Sequence, residues 1–246
     1  NINTDRPDQS DGAYVVPKNK FQIEDGFTIA KETFINNLLL RYGITNSTEI
    51  RLMVDAGKEL TATGLMPVTV SIKQRLLKQH AIIPAISFVG YASFEQLASK
   101  DFQGDQIPFE LKLAFENEIT DQFSLGYNVG TSEKFKALNL TLNFGFTPTN
   151  KFSTFIEYFS TITKLEAEHN LDAGVLFLVN PHLQFDIACG RSISGPESRF
   201  FTTFGVSYIF RQPKFHLKKS YYIPVFVMLP FYIQAQAVDT GRNNFI

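Results

Sequence analysis

The stretch FFTTFGVSYIF, Phe200 to Phe210, decides how the rest of the chain is read. From Thr202 onward every second residue is bulky and mostly apolar: Thr202, Phe204, Val206, Tyr208, Phe210. Thr203, Gly205 and Ser207 between them are small and polar, until Ile209 near the end. Strict alternation describes a strand with two unlike faces. In a soluble sandwich the apolar face turns inward to a core. In an outer-membrane barrel it turns outward to lipid, and the small polar face lines the interior. One strand leaves both solutions open.

Alternation recurs in about a dozen segments of roughly ten residues, the length at which a tilted strand crosses a bilayer. They lie near 21–31, 33–44, 48–58, 67–77, 82–92, 108–118, 123–132, 136–147, 151–162, 168–179, 183–192 and 200–210. In ALNLTLNFGF, Leu138, Leu140, Leu142, Phe144 and Phe146 alternate with Ala137, Asn139, Thr141, Asn143 and Gly145. FSLGYNVG and FELKLAFENE alternate in the same way. After the second, sixth, eighth and tenth segments come the short turns ITNSTEI, ITDQFSL, FTPTNKFS and VNPHLQF. Asn, Asp and Pro set such turns through side-chain-to-backbone bonds and a fixed φ. The intervening connections vary more, and the longest runs from about Phe94 to Ile107. Short turns after even-numbered strands place both barrel ends on the periplasmic side.

Charge separates the two solvents. By parity the polar face carries Glu24, Arg41, Arg51, Asp55, Lys73, Arg75, Glu110, Lys112, Glu116, Glu118, Glu157, Asp172 and Asp186. The apolar face carries almost none, and a Lys or Arg on a lipid face costs about 2–4 kcal/mol at the midplane. In a soluble sandwich the same residues would form the solvated outer face, but the greasy face has too many large side chains in too many long strands. Mixed signs let Arg41, Arg51, Lys73 and Arg75 pair with Glu110, Glu116 and Glu118 across a lumen. Asp25 is the exception at lipid parity, and a bulge at Gly26 is expected to re-aim it. Phe155 and Phe159 point inward beside Glu157, an apolar patch on the polar face.

Composition agrees and excludes alternatives. Among 246 residues Lys plus Arg is 23 and Asp plus Glu is 24, so no nucleic-acid partner is indicated. Mean hydropathy is close to zero, and residues 1–211 hold no apolar run of about 18 residues, so membrane helices are excluded there. One cysteine, Cys189, rules out an internal disulfide or a multi-thiolate metal site. No nucleophile elbow, zinc-binding helix motif or phosphate loop occurs. His80, His169, His182 and His216 are scattered, so neither a catalytic residue, a metal nor a cofactor is expected.

The opening residues, TDRPDQSDG before the first strand, are charged and non-periodic, and Pro7 and Pro17 forbid a regular strand or helix interior. Arg6 between Asp5 and Asp8 forms either a local ion-paired knot at the periplasmic mouth, a plug in the lumen, or part of a solvated tail. The chain resembles the outer-membrane family named for the meta-pathway of phenol degradation, often described as transporters. The likeness rests on Thr4-Asp5-Arg6-Pro7-Asp8, Val16-Pro17-Lys18, Phe21-Gln22-Ile23-Glu24, LRYGIT (40–45) with EIRL (49–52), and SLGYNVG, and it spans about residues 2–210. It implies an outer-membrane barrel and passage of aromatic or other apolar compounds, and it carries over no site residue.

The expectation is therefore an all-β chain, a single antiparallel up-and-down transmembrane barrel of about 12 strands in the outer membrane of a Gram-negative cell. Residues 1–20 form a periplasmic or plug segment, 21–210 the barrel, and 211–246 a tail outside it. In that tail, Lys218 to Ala237 has the order of a secretory signal peptide: lysines, an apolar core, then Ala-Gln-Ala. Joining Ile246 to Asn1 would give a precursor-like start, so the tail is expected to be signal-derived or displaced; a real C-terminal extension is the alternative. The expected partners are outer-membrane lipid and a small-molecule or ion solute passing through a charged lumen. The alternatives are a non-conducting accessory barrel and a soluble β-protein binding an apolar ligand.

Overall fold

A computed structural model describes residues 2–194 and 200–210. The tail 211–246, with its signal-like stretch, lies outside the described residues. The strands are β1 (Phe21–Ala30), β2 (Thr33–Gly43), β3 (Thr48–Glu59), β4 (Ala62–Leu65), β5 (Val68–Leu77), β6 (Ala85–Phe94) and β7 (Phe109–Glu118). They continue as β8 (Phe123–Ser132), β9 (Ala137–Phe146), β10 (Phe152–Ile162), β11 (Ala167–Asn180), β12 (Leu183–Ser194) and β13 (Phe200–Ile209). The described helical content is one short 3-10 turn, Glu95–Leu97.

Apart from β4 and β5, which do not pair with each other, strands adjacent in sequence pair antiparallel, β1 pairs with β13, and the sheet closes on itself. β4 and β5 both lie against β3, along Ala56–Glu59 and Thr48–Met53 respectively. They are two halves of one strand, interrupted where Pro67 has no N–H to give to a ladder. The Met66 N–H still reaches the Asp55 carbonyl at 2.9 Å. Counting them as one gives a closed 12-strand barrel.

The distribution of side chains is inverted relative to a soluble protein. Arg41, Lys73, Gln22, Glu24, Glu49 and Glu157 are the largest fully buried side chains. Ile187, Phe144, Ile156 and Phe123 stand on the outside, each about half exposed. An aqueous solvent would penalise that outer surface, whereas lipid costs it nothing. Aromatic pairs reinforce the outer face: Phe123 stacks on Phe146 at 4.8 Å and Phe115 on Tyr127 at 4.9 Å, each directly across a strand pair. Such pairs add about 0.5–1.5 kcal/mol beyond area burial.

Two expectations need correction. The ladders through Asp25 and Gly26 run without a bulge on both sides. Asp25 keeps its outward parity and accepts a hydrogen bond from the Asn36 amide at 2.8 Å, a local partner on the same outer face. The contrast between the two barrel ends is also weaker than expected. Connections 31–32, 60–61, 133–136 and 163–166 are as short as those at the opposite end, and among the described ones only 95–108 is long.

Candidate functional site

Before β1 the chain runs inside the barrel. It enters beside the turn 181–182, where the Ile2 N–H meets the Pro181 carbonyl at 2.9 Å, and returns to Gly43 at Asn19. With Pro7 and Pro17 it cannot join a ladder, yet backbone buried at membrane depth must find internal acceptors. The wall supplies them. Glu24 accepts the N–H groups of Asp5 and Arg6 at 3.0 and 3.1 Å. Glu157 accepts Gln9 at 2.6 Å, Asn128 accepts Asp11 at 2.7 Å, Glu116 accepts Ala13 at 2.9 Å, and Glu49 accepts Val16 at 2.5 Å.

On one side the segment meets a basic wall. Asp5 lies 2.7 Å from Arg51, 2.9 Å from Lys73 and 3.4 Å from Arg41. Asp11 lies 2.8 Å from both Arg51 and Lys112. Arg41 completes its shell with Glu24 at 2.7 Å and Glu49 at 3.0 Å, and the Arg51 guanidinium sits 4.9 Å from the Tyr91 ring centre. Burial alone would raise the Asp5 carboxyl, but Arg41, Lys73 and Arg51 overcome it and bring it down to about 2. Burial likewise opposes ionisation of Asp11, and Lys112, Arg51 and Lys73 together hold it well below the usual carboxylate range.

The other side is acidic. Glu157 (β10), Asp172 (β11) and Asp186 (β12) are all buried, and Asp172 stands directly across from Glu157. Arg6 reaches Asp186 at 3.3 Å and the Thr203 hydroxyl at 2.8 Å. Ser10 donates to Glu157, and Asn143 donates to Asp8 at 2.8 Å. Both Asp172 carboxylate oxygens lack a hydrogen-bond partner among the described residues. Among the described residues Asp8 has no cation in ion-pair contact; burial raises its carboxyl well above the ordinary value, and Glu157 and Asp5 push the same way.

Residues 5–11 floor a cavity of about 650 Å³ whose wall includes Ile35, Leu39, Met53, Asp55 and Phe201. A second cavity of about 240 Å³ lies between residues 2–12 and a wall that includes Phe155 and Gln184.

The sequence profile of the family described as "Putative MetA-pathway of phenol degradation" matches residues 4–210. The chain belongs to this family. Against the curated proteins the sequence finds no match. Among solved structures it is similar to an outer membrane channel from Pseudomonas putida F1, with TM-score 0.68 and 8% identity over 85% of this chain and 100% of that one. It is similar to the KdgM porin, with TM-score 0.61 and 12% identity over 77% of this chain and 99% of that one. It is also similar to the CymD monoaromatic hydrocarbon channel, with TM-score 0.50 and 8% identity over 79% and 89%. At such identities the shared property is the fold.

For this family member the barrel brings together part of the residue set marked by parity. Glu24, Arg41, Arg51, Lys73, Lys112, Glu116, Glu157 and Asp186 all contact the N-terminal segment. Asp55 faces the large cavity, and Glu110 lies 3.5 Å from Lys112. Arg75 and Glu118 sit at the exposed end, bonded to the Asn46 carbonyl and Tyr14 hydroxyl. The pairing pattern differs from expectation. Arg41, Arg51 and Lys73 form no ion pair with Glu110, Glu116 or Glu118 among the described residues, because Asp5 and Asp11 occupy the space between them. Nor do Asp5, Arg6 and Asp8 form a local knot; each turns to a different part of the wall. Glu49 and Asp11 escaped sequence reasoning, although Glu49 shares the parity of Arg51 and Asp11 lies in the quoted opening run. No group of three or more His, Cys, Asp or Glu placed to hold a metal occurs among the described residues.

Proposed function

We propose that the protein is a passive, non-catalytic outer-membrane channel for a small solute, narrowed by its own residues 1–20 and suited to an apolar or aromatic molecule. The observation that carries this is the large cavity above residues 5–11, because Ile35, Leu39, Met53 and Phe201 give it apolar wall in an otherwise charged interior. Phe159 lies edge-on to Phe201 at 6.3 Å and extends that surface. The family's description and the printed name of CymD favour an aromatic solute. In this reading residues 21–210 are the conducting barrel and the inward charges act as its filter.

Uncompensated carboxylates outnumber unpaired cations around the segment, so the pore should prefer cations. Reconstitution in planar bilayers tests the proposal: stable conductance steps with a cation-selective reversal potential are expected. An electrically silent protein that takes up no aromatic solute into vesicles would favour the accessory-barrel alternative. That alternative draws on one observation, the complete burial of Arg41 and Lys73 under the segment.

A further inference from the structure

The apolar part of the large cavity contains one carboxylate, Asp55, that stands outside any direct ion pair among the described residues. On the inner faces of β2 and β3, Asn37 is paired with Asp55 across the ladder, and the next inward row is Leu39 with Met53. Ile35 occupies the row on the other side. Asp55 makes no direct ion pair among the described residues and feels only the Arg6 guanidinium at longer range, while the cations lining the same cavity make their direct ion pairs elsewhere. Arg6 holds Asp186 at 3.3 Å, Arg51 holds Asp5 and Asp11 at 2.7 and 2.8 Å, and Lys112 holds Asp11 and Glu110 at 2.8 and 3.5 Å. Asp8 on the cavity floor also makes no ion pair among the described residues.

An anionic solute entering here would find, among the described residues, no lining cation outside a direct ion pair and would meet the carboxylates of Asp8, Asp55 and Glu133. A neutral solute would gain apolar contact and one ordinary hydrogen bond. A solute with a protonated nitrogen would gain a charge-assisted hydrogen bond to Asp55 while its body lay against Leu39, Met53 and Ile35.

We propose that this cavity binds small amphiphilic amines, with an apolar ring-sized body and a cationic nitrogen held by Asp55. The proposal rests on the apolar-solute channel and adds the charge of the head group.

The test is calorimetric titration of the detergent-purified full chain with benzylamine, benzyl alcohol and benzoate, three probes with one ring and different heads. Benzylammonium should bind about tenfold more tightly than benzyl alcohol, the ratio given by roughly 1.4 kcal/mol, and benzoate should bind weakest. D55N should bring benzylammonium to the level of the alcohol, with the β-sheet circular dichroism of the variant reporting an intact barrel. D55E, which keeps the charge, should retain the preference. Equal affinity for amine and alcohol in the wild type would overturn the head-group assignment and leave the apolar-solute channel standing. A preference that survives D55N would remove Asp55 from it. If none of the three binds, the apolar-solute channel falls and the proposal with it. The wild-type series decides the charge preference even if D55N does not accumulate.

Discussion

The wall of β2, β3, β5 and β7 and the wall of β10, β11 and β12 enclose the same N-terminal segment and treat it in opposite ways. The first presents Arg41, Arg51, Lys73 and Lys112, and receives Asp5 and Asp11 as counter-ions. The second presents Glu157, Asp172 and Asp186, and receives two backbone or hydroxyl donors and one arginine. Burying charge is costly unless it is paired and hydrogen-bonded. The basic wall therefore depends on the segment for its neutrality, and the acidic wall carries the cost of its own repulsion. Position along the ring, rather than total charge, decides which contacts hold the segment.

Breaking the stronger half should have the largest effect. Replacing Asp5 and Asp11 by alanine leaves buried cations without partners, at a cost of about 3–5 kcal/mol in docking of the segment. Single-channel conductance should rise and the N-terminus should become sensitive to protease; an unchanged conductance would mean that the segment does not narrow the pore. A second experiment asks whether the two walls face inward at all. Leu140→Arg on the lipid side of β9 should cost about 2–4 kcal/mol of insertion, and Asn139→Arg less. Folding yields into lipid vesicles that are equal for both would reverse the inside and outside of the barrel.

The acidic wall offers a smaller effect. Glu157→Gln with Asp172→Asn removes like-charge repulsion on the order of 1 kcal/mol and should move the reversal potential toward anions. No shift in a conducting protein would exclude these carboxylates from the filter. The smallest expected effect is on pH dependence. Asp8 has a raised carboxyl pKa in the docked segment, so its contribution to docking is present in acid and is lost as pH rises through that raised value. Asp5 and Asp11 have the opposite sign: their contribution is present above the ordinary carboxylate range and is lost as pH falls, toward about 2 for Asp5. Opening events should therefore increase on the alkaline side in the wild type and lose that dependence in Asp8→Asn. Identical alkaline profiles would remove Asp8 from the balance.

The barrel was legible because period-two alternation is a local property, and each strand repeats it against the same two solvents. The site was less so. Parity marks Arg41 and Glu157 as sharing a face, but it cannot say that Glu157 serves the Gln9 amide while Arg41 pairs with Glu49. Those choices depend on a non-periodic segment whose path is set by its contacts with the closed barrel. Asp25 was misjudged for a related reason: alternation marks it as a polar residue at outward parity, but cannot say that Asn36 across the hairpin is its partner.

The segment also has a mechanical consequence. Its bonds run to Glu24 on β1, Glu49 on β3, Lys73 on β5, Ser87 on β6, Glu116 on β7, Asn128 on β8, Asn143 on β9, Glu157 on β10 and Gln184 on β12. It is tied to the rim as a hub is tied by spokes. Tension applied to the N-terminal segment is shared among attachments on nine strands, whereas tension on β13 falls on its two ladders, with β12 and with β1. The N-terminal segment and β13 should thus differ in the force they bear before yielding.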